Sequence, residues 1–139
     1  MLSEINITDA RKDLSSLYDS VFNFYKPSII KRKQTEEVLL LRADLQKMLL
    51  FSFSLKPEVL HEDDGSITLA LDQLELAVNN ETLDLAVNEL LNDLKLYAED
   101  YFNRSQLFIN SPNRKSHFPY LLRIMLCEDD SEIRSLLEL

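Results

Sequence analysis

An α+β fold in two parts is predicted by three observations. Residues 5 to 50 run without a gap through an apolar strand, an amphipathic helix, a strand pair and a second helix. Residues 67 to 101 switch from period-two alternation to a helical period. The charge balance changes around Ser54 to Pro57. Residues 1–56 hold nine Lys and Arg against seven Asp and Glu, a net +2, whereas residues 57–139 hold six against seventeen, a net −11. The chain thus divides into a strand–helix–hairpin–helix domain over residues 1–53 and an acidic α+β domain over residues 54–139. The second is expected to combine a β-hairpin or meander with a long helix.

In the first part, Ile5-Asn6-Ile7 reads as a short strand. Thr8 has the hydroxyl expected of a helix N-cap, and the helix should run to Phe24. Ala10, Leu14, Leu17, Tyr18 and Val21 would then share one face. Pro27 ends any helix by Lys26. Ser28 to Lys33 and Glu37 to Leu41 flank Gln34-Thr35-Glu36, the pattern of a hairpin, although its turn holds neither Gly nor Asn. The run Leu39–Leu41 suggests a strand buried on both faces. Asp44 is placed to cap a helix carrying Leu45, Met48 and Leu49, with Phe51 and Phe53 as a possible extension.

In the second part, Glu58 to His61 is a candidate strand, and Glu62-Asp63-Asp64-Gly65-Ser66 is a turn signal. Ile67, Leu69 and Leu71 alternate, but after Asp72-Gln73 the apolar parity moves to Leu74, Leu76 and Val78. One regular strand cannot do this without turning its side chains to the other face, so a bulge or short loop is predicted there. The longest helix follows Thr82, with Leu83, Ala86, Val87, Leu90, Leu94, Tyr97, Ala98 and Tyr101 as its apolar stripe and an end near Arg104. Leu107-Phe108-Ile109 is a candidate strand. Ser116 or His117 should open a helix with Pro119 in its first turn, and Asp130 or Ser131 should cap a last helix to Leu139.

Composition excludes several chemistries. The single glycine, Gly65, leaves no Gly-rich phosphate cradle, and neither nucleotide-binding glycine motif occurs. One cysteine, Cys127, allows no intramolecular disulfide. Two histidines and one cysteine without close spacing carry no zinc signature. The acidic runs Glu62–Asp64 and Glu128–Asp130 read as solvated turns and caps. No metal, cofactor or catalytic residue is therefore expected. No apolar run approaches a membrane span and the start of the chain has no basic leader region, so a cytoplasmic protein without membrane contact is expected.

The basic residues Arg11, Lys12, Lys31, Arg32 and Lys33 are clustered. Arg11 and Lys12 fall near the predicted start of the first helix, where positive charge opposes the helix dipole and a bound phosphate would offset it. Lys31 and Lys33 should share one strand face and Arg32 the other. Spacing alone leaves two readings, contact with phosphate or protection of a strand edge by lysines.

Ile5-Asn6-Ile7-Thr8-Asp9-Ala10-Arg11-Lys12-Asp13-Leu14-Ser15 resembles the opening of the Phd/YefM antitoxins, roughly apolar-x-apolar-[ST]-[ED]-A-R-x-x-[LF]-[SA]. Pro27 to Lys33 resembles that family's P-x-x-[IV]-[TK]-R stretch, and Val38–Leu41 with Asp44-Leu45 resembles its next strand and helix. The likeness covers about residues 4–50. It implies a homodimer through the N-terminal domain that binds operator DNA, with Arg11 and Arg32 at the matching positions. The missing hairpin glycine and the long, folded-looking C-terminal part depart from the family pattern. Residues 67–90 are also similar to the antitoxin HicB, through Asn80-Glu81-Thr82-Leu83-Asp84-Leu85-Ala86.

The resulting expectation is an antitoxin whose acidic domain neutralises a basic toxin, a RelE-like endoribonuclease, and whose basic end represses its own operon. An acidic surface complements the cationic surface that an RNA-cleaving toxin needs, although acid excess also serves solubility. Asp84, Glu89, Asp93 and Glu99 on the long helix, with Arg114 and His117 in the following loop, are the candidate toxin contacts. Two other classes remain open from sequence. One is a stand-alone repressor with a C-terminal dimerisation or ligand-binding domain, and the other an enzyme built on the loop around Arg114, Lys115 and His117.

Overall fold

In the computed structural model, which describes all 139 residues, the chain forms two compact units, Met1–Leu49 and Leu50–Leu139. The architecture is mixed α+β, with one three-stranded sheet in each unit.

The first unit consists of β1 (Ser3–Asn6), α1 (Ile7–Lys12), α2 (Leu14–Asn23), β2 (Ser28–Arg32), β3 (Glu36–Leu40) and α3 (Ala43–Leu49). β1 pairs parallel to β2 and β3 antiparallel to it, so β1 and β3 are edges. The predicted single helix is two. Asp13 leaves helical geometry at φ −134°, ψ 51°, and α2 restarts after it with Leu17 N–H donating to Asp13 O at 3.1 Å. The break shifts the helical phase. Ala10 and Val21 are buried, but Leu14 and Tyr18 stand 59% and 58% exposed instead of sharing their face. The N-cap is Asn6, whose Oδ1 accepts the Asp9 N–H at 2.9 Å, and not Thr8. The hairpin forms without glycine because Lys33 and Gln34 both adopt left-handed backbone, φ 55° and 67°. β3 is not buried on both faces within the chain: Val38 is 64% exposed. Asp44 lies inside the first turn of α3, its carboxylate accepting the Leu45 N–H at 3.0 Å, and the helix stops before Phe51 and Phe53.

The second unit starts at Leu50, a few residues before the expected boundary. Arg123 Nη1 donates to Phe53 O and Gln73 Nε2 to Ser54 O, both at 3.0 Å, and Leu55 enters the core. β4 (Glu58–His61), β5 (Ile67–Leu71) and β6 (Leu76–Asn80) form an antiparallel meander. Gly65, at φ 86°, closes the first turn. The parity change after Leu71 is a full reversal: a 3₁₀ turn at Asp72–Leu74 and a left-handed Glu75, φ 55°, send β6 back beside β5.

Helix α4 (Leu83–Asn103) is capped by Thr82, whose Oγ1 accepts the Leu85 N–H at 3.2 Å. Its buried stripe is Ala86, Val87, Leu90, Leu91, Leu94, Ala98 and Tyr101, packed against β5, β6, α6 (Phe118–Met125) and α7 (Asp130–Leu136). The stripe includes Leu91 beyond expectation, whereas Leu83 is exposed. The segment expected as a strand at Leu107–Ile109 is instead the short helix α5 (Ser105–Ile109). There the Phe108 ring stacks on Tyr101 at 5.0 Å and its N–H donates to Arg104 O, so ring packing and a local hydrogen bond replace strand pairing. Pro119 does sit in the first turn of α6, and α7 is capped by Asp129, not Asp130 or Ser131.

Truncating a fully buried α4 side chain leaves a void that the packed unit cannot refill. Leu94→Ala is expected to lower stability by about 2–5 kcal/mol, and Leu96→Ala, whose side chain is 65% exposed, by less than about 0.5 kcal/mol. Urea denaturation followed by circular dichroism separates the two, and equal losses would contradict the packing described.

Candidate functional site

The first unit carries five exposed cations in no ion pair, Arg11, Lys12, Lys26, Arg32 and Lys33. Because α1 starts at Ile7 and ends at Lys12, Arg11 and Lys12 lie in its last turn. The expected clash with the helix dipole is thereby corrected, since cations are favoured at a helix C-terminus. α1 leaves β1 where Asn6 pairs with Lys31, beside the end of β2 where Arg32 and Lys33 follow. α1, about 9 Å long, packs against β1 and β2.

Lys31 is different. Its ammonium bridges Glu4 on β1 at 3.1 Å and Glu37 on β3 at 3.2 Å. Hydrogen bonds to Glu4 first and Glu37 second raise its pKa. Lys33 belongs to the turn, so it does not share a strand face with Lys31 as expected.

Sequence reasoning missed Arg42. Its guanidinium lies 4.1 Å from the ring centres of both Phe22 and Tyr25, donates to Phe22 O at 2.6 Å and pairs with Asp44 at 2.9 Å. It ties the end of α2 to the start of α3. Nothing local announces this, because Phe22 and Arg42 are twenty residues apart.

In the second unit, Asp84, Glu89 and Glu99 are exposed and Asp93 is half-buried. Glu89 and Asp93 are one turn apart, and Glu89 accepts from Asn80 Nδ2 at 3.2 Å. Asp84 and Glu99 lie about 22 Å apart along the helix, so the four do not form one patch.

Arg114 and His117 are brought together, but inward. His117 is 3% exposed, and its Nδ1 lies 2.6 Å from Tyr97 Oη, to which Arg114 Nη1 donates at 2.8 Å. Tyr101 Oη donates to Arg114 O at 2.9 Å. Tyr97 Oη accepts from Arg114 and shares a hydrogen bond with His117 Nδ1 whose direction is set by the imidazole tautomer. Burial lowers the His117 pKa, and the Arg114 charge lowers it further. The His117 ring is thus part of the interior and does not reach the surface contact expected of it. Cys127 Sγ is 3.5 Å from Arg123 O in the turn closing α6.

No three His, Cys, Asp or Glu side chains are grouped to hold a metal ion, and no helix is long and apolar enough to cross a membrane. The features that remain are exposed cations on α1 and at the end of β2, and an acidic helical unit.

The whole chain, residues 1–139, matches the PHD-like family model, described as the antitoxin of a toxin–antitoxin system, RelE/RelB. The chain belongs to this family of antitoxins. Among solved structures it is similar to the antitoxin part of a proposed toxin/antitoxin system from Syntrophomonas wolfei subsp. wolfei. That crystal structure shares 32% identity and superposes with a TM-score of 0.86 over 97% of this chain and 96% of the other. No curated protein matches. A cognate toxin is the partner that membership implies.

The Tyr97–His117–Arg114 cluster predicts a pH dependence. Because the folded His117 pKa lies below the unfolded value of about 6.5, the unfolded chain binds the extra proton first. The contribution is fully present above about pH 6.5 and is lost as pH falls through the lower folded value. Thermal unfolding between pH 7.5 and 5 should show a falling Tm, with a shallower slope in His117→Asn. An unchanged slope would assign the effect to other groups.

Proposed function

We propose that this antitoxin uses its first unit, in the manner of Phd/YefM proteins, to dimerise on operator DNA, and its acidic second unit to neutralise a basic, RelE-like endoribonuclease. The protein is then regulatory and non-enzymatic, and represses its own operon in the cytoplasm.

The observation that carries the DNA half is the exposure of Arg11 and Lys12 on α1 and of Arg32 and Lys33 at the end of β2, none of them in an ion pair. Dimerisation is supported by an incomplete core. Only Ala10 and Val21 are buried apolar residues in the first unit. Leu14, Tyr18 and Phe22 form an exposed stripe along α2, Phe22 being 45% exposed, and Val38 and Leu39 project from edge strand β3. A second copy supplies the cover that some fifty residues cannot make alone. The toxin half is supported by family membership and by the acid excess of the second unit, since opposite charge steers two proteins together.

Arg11→Ala and Arg32→Ala should each weaken binding to the operon's own promoter fragment. Each should also reduce the log–log salt slope by about 0.9 for every phosphate it leaves without a cation. Lys31→Ala should do less, because Glu4 and Glu37 already hold its charge. Unchanged affinity and slope in both arginine variants would remove the DNA assignment.

Residues 50–139, which hold their own core, should rescue growth when co-expressed with the toxin from the neighbouring reading frame and should co-purify with it. Rescue by residues 1–49 instead would reverse the proposed division.

A further inference from the structure

The second unit contains a groove of about 210 Å³ between α4 and the α6–α7 connection. This is several times the roughly 30 Å³ that a water occupies in the liquid, and suits one long side chain. Its floor is apolar: Ile124 and Ile133 lie at the base, and Met125 is 46% exposed. Its rim carries Glu99 from α4, with Glu128, Asp129 and Asp130 from the connection and α7. The one cation there, Lys95, is held by Asp130 at 2.7 Å, which raises its pKa. Lys95 also feels the Glu99 charge one turn away, and Asp129 Oδ1 is engaged as the cap of α7, so the rim keeps a net negative charge with Glu128 in no ion pair.

These observations select an occupant. A hydrated cation gains nothing from an apolar floor, and the carboxylates are not grouped to form an oxygen cage. A purely apolar side chain would leave the rim uncompensated. A lysine or arginine satisfies both parts, because its aliphatic stem packs on apolar surface while its head stays with the charges. The flexible thioether of Met125 adapts to such a stem.

We infer that this groove docks a lysine or arginine side chain of a basic partner segment, with Met125 and Ile133 against the stem and Glu99 and Glu128 at the cationic head. The inference rests on the toxin reading for the partner's identity. It relocates the principal contact from the scattered acids Asp84, Glu89 and Asp93 to one end of α4.

The test titrates two probes into the full-length chain at physiological salt: the toxin from the neighbouring reading frame, and a short peptide of alternating Leu and Arg. The groove variant combines Glu99→Lys with Glu128→Lys. A control of equal net charge combines Glu62→Lys with Asp63→Lys in the β4–β5 turn, which does not line the groove. A third variant, Met125→Ser, tests the floor without changing charge. The groove pair should weaken both probes about tenfold or more. The control should change binding less than about twofold, since exposed charges beyond about 8 Å are screened. Met125→Ser should weaken both probes severalfold.

Toxin binding that falls equally in the two charge-reversed proteins, or that ignores all three variants, overturns the groove and leaves the toxin reading standing. If only the peptide binds, and does so through the groove, the toxin reading falls and the groove stands. Binding of neither probe removes both.

Discussion

The packing of α4 against the β5–β6 hairpin is the interaction on which the second unit depends. Leu90, Leu94, Ala98 and Tyr101 on α4 and Leu69 and Leu71 on β5 have no solvent exposure. Each carries apolar area worth roughly 25 cal/mol per Å² removed from water. α6 and α7 add to the same helix through Leu121, Ile124, Ile133 and Leu137. Once α4 is in place, the positions of its polar side chains follow. Lys95 can meet Asp130, Tyr97 can meet His117, and Glu99 reaches the rim of a groove.

The first unit obeys the opposite constraint. Its sheet and helices are short, and the break at Asp13 prevents α1 and α2 from presenting one continuous apolar face. Tyr18 stacks on Phe22, and Arg42 lies between Phe22 and Tyr25, so the aromatic residues are organised without being buried. Such a surface costs stability in water unless something covers it. An obligate dimer would link folding of this unit to protein concentration.

Charge divides along the same line. Lys31 is neutralised between two glutamates, whereas Arg11, Lys12, Arg32 and Lys33 are not. A count of basic residues therefore overstates the cationic surface, and pairing decides which charges an anionic partner encounters. Within the acidic unit the distinction recurs: Asp100 is paired with Arg104 at 2.7 Å and Asp130 with Lys95, while Glu128 is in no ion pair.

The sequence by itself determined the α+β class, the strand at Glu58–His61, the long helix after Thr82, the Pro119 helix and the antitoxin resemblance, because each rests on contacts within a few residues or on a fixed period. Tertiary structure alone decided the rest. Whether the parity flip after Leu71 was a bulge or a short loop depended on β6 finding β5, and whether Leu107–Ile109 became strand or helix depended on a Tyr101 ring already fixed by α4. The inward turn of His117 depended on Tyr97, twenty residues earlier, and the neutralisation of Lys31 on a glutamate from each neighbouring strand. Local propensity cannot carry such information, since the partners that fix each outcome are neighbours only after the chain has folded.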